Sequence, residues 1–333
     1  LYVADYSGGL RIFDMTDPAA LSPVGSIATT AAWQVQVAGD LAYVADHTSG
    51  LRIIDVSNPS NPAQLGSYNT PGLAYGVVVA GLTAYVADDV RGVQVIDVGD
   101  PANPVLLGTC DTPGNAISLV LDGNHVFVAD RGGGLSVVDV TDGTNPTLVA
   151  NVDTPGDAWG IDVQGDLAYL GAGTAGIFVF DVSDPANPVQ VWAGASGHGN
   201  RRIEANGRSL YSAGYSGVAI YNLDIPVSPG WEEWFPLPGI STAVHRHGNL
   251  LLVAAGAGGG VQTIKVADTN PAFRWGGVVG LGHISDLELV GEILFVAHYD
   301  QGGGSSYLSV YDYSNPGYQF LISSFAMPTW HVL

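Results

Sequence analysis

Leu41-Ala-Tyr-Val-Ala-Asp46, a short turn to Gly50, Leu51-Arg-Ile-Ile-Asp55, the turn Asn58-Pro-Ser-Asn-Pro62, a short apolar stretch, then Thr70-Pro-Gly72 leading into Tyr75-Gly-Val-Val-Val79, together spell one complete structural unit. Each apolar stretch is short, rich in Val, Ile, Tyr and Leu, and bounded by Gly, Asp, Asn or Pro, which is the pattern of buried or half-buried strands. Four strands make one unit. Outward from this copy the pattern recurs: Gly39, Gly81, Gly123, Gly165, Gly207, Gly248 and Gly291 follow one another at 42, 42, 42, 42, 41 and 43 residues. Each stands between two alternating apolar stretches, and a period near 42 in 333 residues predicts about eight units.

Four-stranded units repeated in this way predict an all-β fold, a single closed eight-bladed β-propeller with four antiparallel strands per blade, filling residues 1–333 as one domain. A parallel β-helix needs shorter repeats, and a helical solenoid needs a 3.6-residue apolar period that is absent. Turn chemistry agrees. Pro59 and Pro62, Pro101 and Pro104, Pro185 and Pro188, and Pro226 and Pro229 sit three residues apart between third and fourth strands, where proline costs no ladder hydrogen bond. Leu1-Tyr-Val-Ala-Asp5 matches a second strand and Thr329-Trp-His-Val-Leu333 a first strand. The two ends are expected to share one blade and so close the ring, with no open edge left.

Composition bounds the function. Apolar residues are 47% and charged residues 12%, with 46 Gly and 19 Pro, enough core material to exclude disorder. Gly, Asp or Pro interrupts every apolar stretch before the roughly 18 residues of a membrane helix, so no membrane insertion is expected of this segment. A formal charge of −21 repels phosphate backbones and anionic membrane surfaces, which argues against nucleic acid as a partner. Asp outnumbers Glu 26 to 5, and most of these Asp fall at repeated turn positions, so the acidity follows from the repeat. The single Cys110 forbids an intrachain disulfide and a Cys-based zinc site. Beginning at Leu1, the sequence is expected to be a mature or trimmed segment with its targeting signal upstream.

The wording Val-Ala-Asp, then Gly-Leu-x-Ile-Ile-Asp-Val-Ser-Asp-Pro, resembles the LVIVD repeat family of bacterial and archaeal proteins. The best copies are residues 41–62, 83–104, 125–146 and 167–188, and the likeness loosens after about residue 209. The resemblance implies a propeller and an exported or cell-surface setting. It implies no particular reaction.

Where units disagree is informative. Units one to four end their second strand in Asp5, Asp46, Asp88 and Asp130, while the next four have Ala172, Gly214, Ala255 and His298. Such an Asp reads as a cap on its own turn. Asp14, Asp55, Asp97, Asp139, Asp181 and Asp312 on the third strand read as structural too.

Innermost strands line the channel. Counting back from the periodic Gly, one register reads Gln34, Gly76, Ser118, Gly160, Arg202, Ala243, Asp286 and, at the end, His331. A deeper one reads Gln36, Val78, Val120, Asp162, Glu204, His245 and Glu288. The uniformly apolar register between them, including Val77, Leu119 and Ile161, must pack between blades, so by alternation the other two face the channel. At the strand entrances stand His198, Asn200, Arg201 and His283, with the aromatics Trp33, Tyr75, Trp159 and Trp330. Aromatic faces stack on sugar rings and Arg pairs carboxylates, so this rim has the character of a carbohydrate or small-anion site on units five to eight and their junction with unit one. The competing reading is a plugged channel mouth with Arg202 paired to Glu204 or Asp286.

Two sharper possibilities share this face. Asp162, Glu204, His245 and Glu288 are candidate ligands for a divalent cation such as calcium. Alternatively the chain is a secreted carbohydrate-active enzyme, lyase-like, in which Arg201 or Arg202 neutralises a uronate carboxylate while His198, His283, His298 or Tyr299 moves protons. No local motif fixes either one. The Gly-rich stretches 256–260 and 302–304 lack a following helix and read as loops. Trp231-Glu-Glu-Trp234-Phe235 on an outer strand reads either as a patch for docking a protein partner in a larger assembly or as aromatics packed under a neighbouring blade or loop. The expected role is therefore an extracellular or cell-surface binding module for a protein or carbohydrate, with the enzyme as alternative.

Overall fold

The computed structural model describes residues 2–4, 8–14, 22–194, 199–214, 217–236, and the strand segments 241–247, 250–255, 260–265, 273–278, 283–290, 293–299, 306–312 and 320–327. Side chains are described for Tyr2 and residues 8–12, 24–194, 199–214 and 217–230. Among the described residues no α-helix occurs, and none is long and apolar enough to cross a membrane.

Strand formation follows the repeat. In the unit that opens the sequence reading, β4 (Gln34–Ala38), β5 (Leu41–Ala45), β6 (Leu51–Asp55) and β7 (Ala63–Tyr68) pair antiparallel in chain order. The same order holds in each later four-stranded sheet, while β1 (Tyr2–Ala4), β2 (Leu10–Asp14) and β3 (Ser22–Ile27) form a sheet of three. First strands of consecutive sheets lie beside one another: β4 against β8 (Gly76–Ala80), then β12 (Ser118–Asp122), β16 (Gly160–Gln164) and β20 (Arg202–Asn206). That places the first strands around a common axis and the fourth strands outermost, the arrangement of a β-propeller.

The periodic glycines are the hairpins between first and second strands. Gly81 and Gly123 have φ of 59° and 55°, and the residue after each is not left-handed, which is a type II′ turn matched to strand twist. Third and fourth strands slip register by one residue at the same place in each described blade, as between Ile53 and Ile54 or Val95 and Ile96. Near that bulge, Gly66 of β7 lies under the next blade's proline turn, where a Cβ would come within 2.4 Å of the Pro101 carbonyl.

Core packing lies between blades. Tyr43, Leu51 and Ile53 of one blade meet Val77, Val86 and Ile96 of the next, and Phe127 and Leu135 meet Ile161, Leu170 and Phe180. Val77, Leu119 and Ile161 are all buried in such clusters, as alternation requires of the apolar inner register. Each blade thus buries apolar surface it cannot cover alone.

Candidate functional site

The carboxylates of Asp46, Asp88 and Asp130 are fully buried, and their partners differ from the expected cap on their own turn; Asp5 lies outside the described residues. Asp88 accepts from Thr70 Oγ1 at 2.5 Å and Gly72 N at 2.9 Å; Asp130 accepts from Thr112 Oγ1, Gly114 N and Ser136 Oγ. Asp46 accepts from the Thr30 and Ala31 amides and pairs with Arg52. Each carboxylate therefore latches the connection arriving from the previous blade onto its own blade. Burial raises the pKa of Asp88 to about 6, and raises that of Asp130, against the lowering effect of these hydrogen bonds. Of the third-strand Asp residues, Asp55, Asp97, Asp139 and Asp181 each accept from the amide two residues on, a structural role, while the side chains of Asp14 and Asp312 lie outside the described residues.

One residue further along, the backbone is left-handed. His47, Asp89 and Arg131 have φ of 45°, 53° and 38°, and the equivalent position in the next blade is Gly173 at 54°. Each forms an isolated antiparallel bridge to the following blade, His47 with Ala74, Asp89 with Ala116, Arg131 with Ala158 and Gly173 with Asn200. The residue after each bridge partner is the entrance residue of the next inner strand: Tyr75, Ile117, Trp159 and Arg201. Backbone pairing thus brings each left-handed residue toward the next blade's entrance.

Two side-chain clusters result. Trp33, 47% exposed, stacks with His47 at 5.9 Å between ring centroids, and Tyr75 meets them edge-on at 5.0 and 5.3 Å. Burial lowers the His47 pKa, against the raising influence of Asp89 and Asp46. Further round, the Arg131 and Arg201 guanidinium carbons lie 4.5 and 4.1 Å from the Trp159 ring centroid. Arg131 also faces Asp157 at 3.7 Å. Between the clusters, Asn115 donates to Asp89 at 2.7 Å. The sequence reading had Trp33, Tyr75, Trp159 and Arg201 but passed over His47, Asp89 and Arg131. Their signal in the sequence is weak: the residue after Asp46, Asp88 and Asp130 changes identity, but so do the next two, Thr48-Ser49, Val90-Arg91 and Gly132-Gly133.

Inner-strand polar residues do something else. Gln34 accepts from Val77 N, Gln36 pairs with both backbone groups of Val79, Asp162 accepts from Ala205 N, and Gln164 pairs with both backbone groups of Gly207. All four reach 43 residues ahead and stitch one inner strand to the next, so Gln34 and Asp162 spend acceptor oxygens there. Asp162 also accepts from Val163 N, and burial raises its pKa. Glu204 is half-buried on β20 and Arg202 is exposed at that strand's start. Among the described residues, no group of three or more His, Cys, Asp or Glu is placed to hold a metal ion.

His283 lies opposite Tyr299, and Ile284 opposite His298, in the ladder of β28 (His283–Val290) with β29 (Ile293–Tyr299). Asp286 and Glu288 are on β28, and His245 is on β24 (Ser241–His247). The side chains of these seven residues, and His198, Trp330 and His331 entirely, lie outside the described residues, as do the side chains of 231–235.

The LVIVD repeat model matches residues 1–29, 31–70, 71–112, 113–154 and 155–192. A computationally designed protein, Ika8, is similar at 11% identity and a TM-score of 0.71, over 88% of this chain and 86% of that one. Apo AztD from Citrobacter koseri is similar at 12% identity and a TM-score of 0.67, over 98% of this chain and 94% of that one. At such identities the likeness is one of fold. No match is found among curated proteins.

Proposed function

The chain belongs to the LVIVD repeat family, and from that footing we propose that it is an extracellular or cell-surface interaction module. Its ligand, a carbohydrate or a protein, is taken on the face where the inner strands begin. The propeller is read as eight-bladed and closed: the three-stranded first sheet lacks an inner strand, and residues 329–333 carry an inner-strand pattern that would supply it. The exported setting is supported by the family resemblance.

One observation carries the ligand face. Side chains of unlike chemistry, His47, Asp89 and Arg131 with Tyr75, Trp159 and Arg201, gather at one end of blades that are otherwise near copies. Packing does not demand that variety, whereas recognition does. Immobilised glycan and peptide arrays probed with the wild-type protein, with Trp33→Ala/Trp159→Ala, and with the outer-strand control Val189→Asp test the assignment. Array signals should vanish for the double variant and persist for the control. Signals lost only in the outer-strand variant would move binding to the rim of the propeller and sink the proposal.

A further inference from the structure

The left-handed backbone at 47, 89 and 131 needs a reason. An L-residue there costs roughly 1 kcal/mol that glycine avoids, and the blade with Gly173 makes the same inter-blade bridge without it. The side chains of His47, Asp89 and Arg131 are therefore not required by the turn. Each stands beside the next blade's entrance residue, giving two positions per blade whose chemistry changes without touching the strand ladders.

Resting on the ligand face proposed above, we infer that this paired ring reads a sparsely charged acidic oligosaccharide. The Arg131, Trp159 and Arg201 sector takes a sugar carboxylate, and the Trp33, His47 and Tyr75 sector stacks on a neutral sugar ring of the same chain. The whole protein has only ten Lys and Arg against a net charge of −21, yet Arg131 and Arg201, from the blades on either side of the Trp159 blade, both stand over its indole. A guanidinium set over an aromatic ring is held by a cation–π contact that uses no N–H donor, and an N–H fork binds a carboxylate in bidentate fashion. Asp157 is a weak resident partner: the separation is 3.7 Å and the two side chains are 35% and 51% exposed, so a ligand carboxylate displaces it at little cost. Trp33 offers the stacking surface a pyranose needs, which the carboxylate side chains of a glutamate-rich peptide do not cover. Overall negative charge repels a dense polyanion, so the carboxylates of the ligand are few.

Titration calorimetry with four probes tests this: a glucuronate-substituted xylo-oligosaccharide, its unsubstituted counterpart, a heparin oligosaccharide and a glutamate-rich peptide. The substituted xylo-oligosaccharide should bind about tenfold more tightly than the neutral one, the size of one charge-assisted contact. Arg131→Gly should bring it to the neutral level with Tm moved by no more than about 1–2 °C, because relief of the left-handed backbone offsets the lost contact with the Trp159 ring. Trp33→Ala should weaken both sugars alike. Equal affinity for the two sugars, with Trp33→Ala still harmful, would overturn the carboxylate reading and leave the ligand face intact. Unchanged affinity with a lowered Tm in Arg131→Gly would make the cluster a structural stack. Tighter binding of heparin or the peptide, or no binding of the acidic sugar, overturns the inference, and the array result then judges the face separately.

Discussion

Residues 46 and 47, 88 and 89, 130 and 131 are neighbours in the chain with opposite fates. Asp46, Asp88 and Asp130 are identical, fully buried and bound to backbone and hydroxyl donors of the arriving connection. His47, Asp89 and Arg131 are unlike, half-buried and aimed at the next blade's entrance. In a repeat, the position held constant is the one the fold uses, and the position allowed to differ beside it is open to ligand chemistry.

The largest break of that contrast comes from the constant position. Asp130→Ala leaves Thr112 Oγ1, Gly114 N and Ser136 Oγ without their acceptor, at about 1–3 kcal/mol for each donor that stays buried. A loss of about 3 kcal/mol or more should lower Tm by roughly 5 °C or more in a chain of this size, read by scanning calorimetry. An unchanged melt would show that the latch does not hold the connection.

A middle-sized effect sharpens the same point through pH. Burial holds the folded-state pKa of Asp88 at about 6, above the usual carboxylate value of 3.8, so the folded protein binds the extra proton between those values. Stability from this group is full below about pH 4 and falls as pH rises toward 6, by about 3 kcal/mol at most. Half-buried Asp55, Asp139 and Asp181 run the other way: hydrogen bonds lower their pKa, so their contribution fades on acidification below the usual value. That contribution is common to the wild type and Asp88→Asn and cancels in their difference. Urea midpoints at pH 4.5, 5.5 and 7 should show the wild type losing ground to Asp88→Asn as pH rises. A flat difference would mean Asp88 ionises normally.

Much of the fold was legible because strand length, hairpin glycine and proline turn all repeat, and a 42-residue period leaves few architectures. What escaped was tertiary. Alternation places Gln34, Gln36, Asp162 and Gln164 in channel-facing registers, but only coordinates show them folding onto the neighbouring strand's backbone 43 residues ahead. Similarly, Asp88 looks like an ordinary turn cap until the Thr-Pro-Gly connection is seen against it. The aromatic and Arg members of the candidate site were legible from residue type. His47, Asp89 and Arg131 were not, because a left-handed φ and a bridge across blades leave no mark on local hydrophobic pattern.

The smallest expected effect lies at the variable position, and its smallness is what separates the two neighbours. Asp89→Gly removes the hydrogen bond from Asn115, worth about 1 kcal/mol net, and relieves a left-handed backbone at φ 53° that costs a similar amount. The two nearly cancel, so Tm should move by no more than about 1–2 °C. His47→Gly gains the same relief but loses ring contacts with Trp33 and Tyr75, each worth about 0.5–1.5 kcal/mol, so it should be the less stable of the pair. A drop in Asp89→Gly as deep as that of Asp130→Ala would place both neighbours in the scaffold, and the rim would then have to be read as structure throughout.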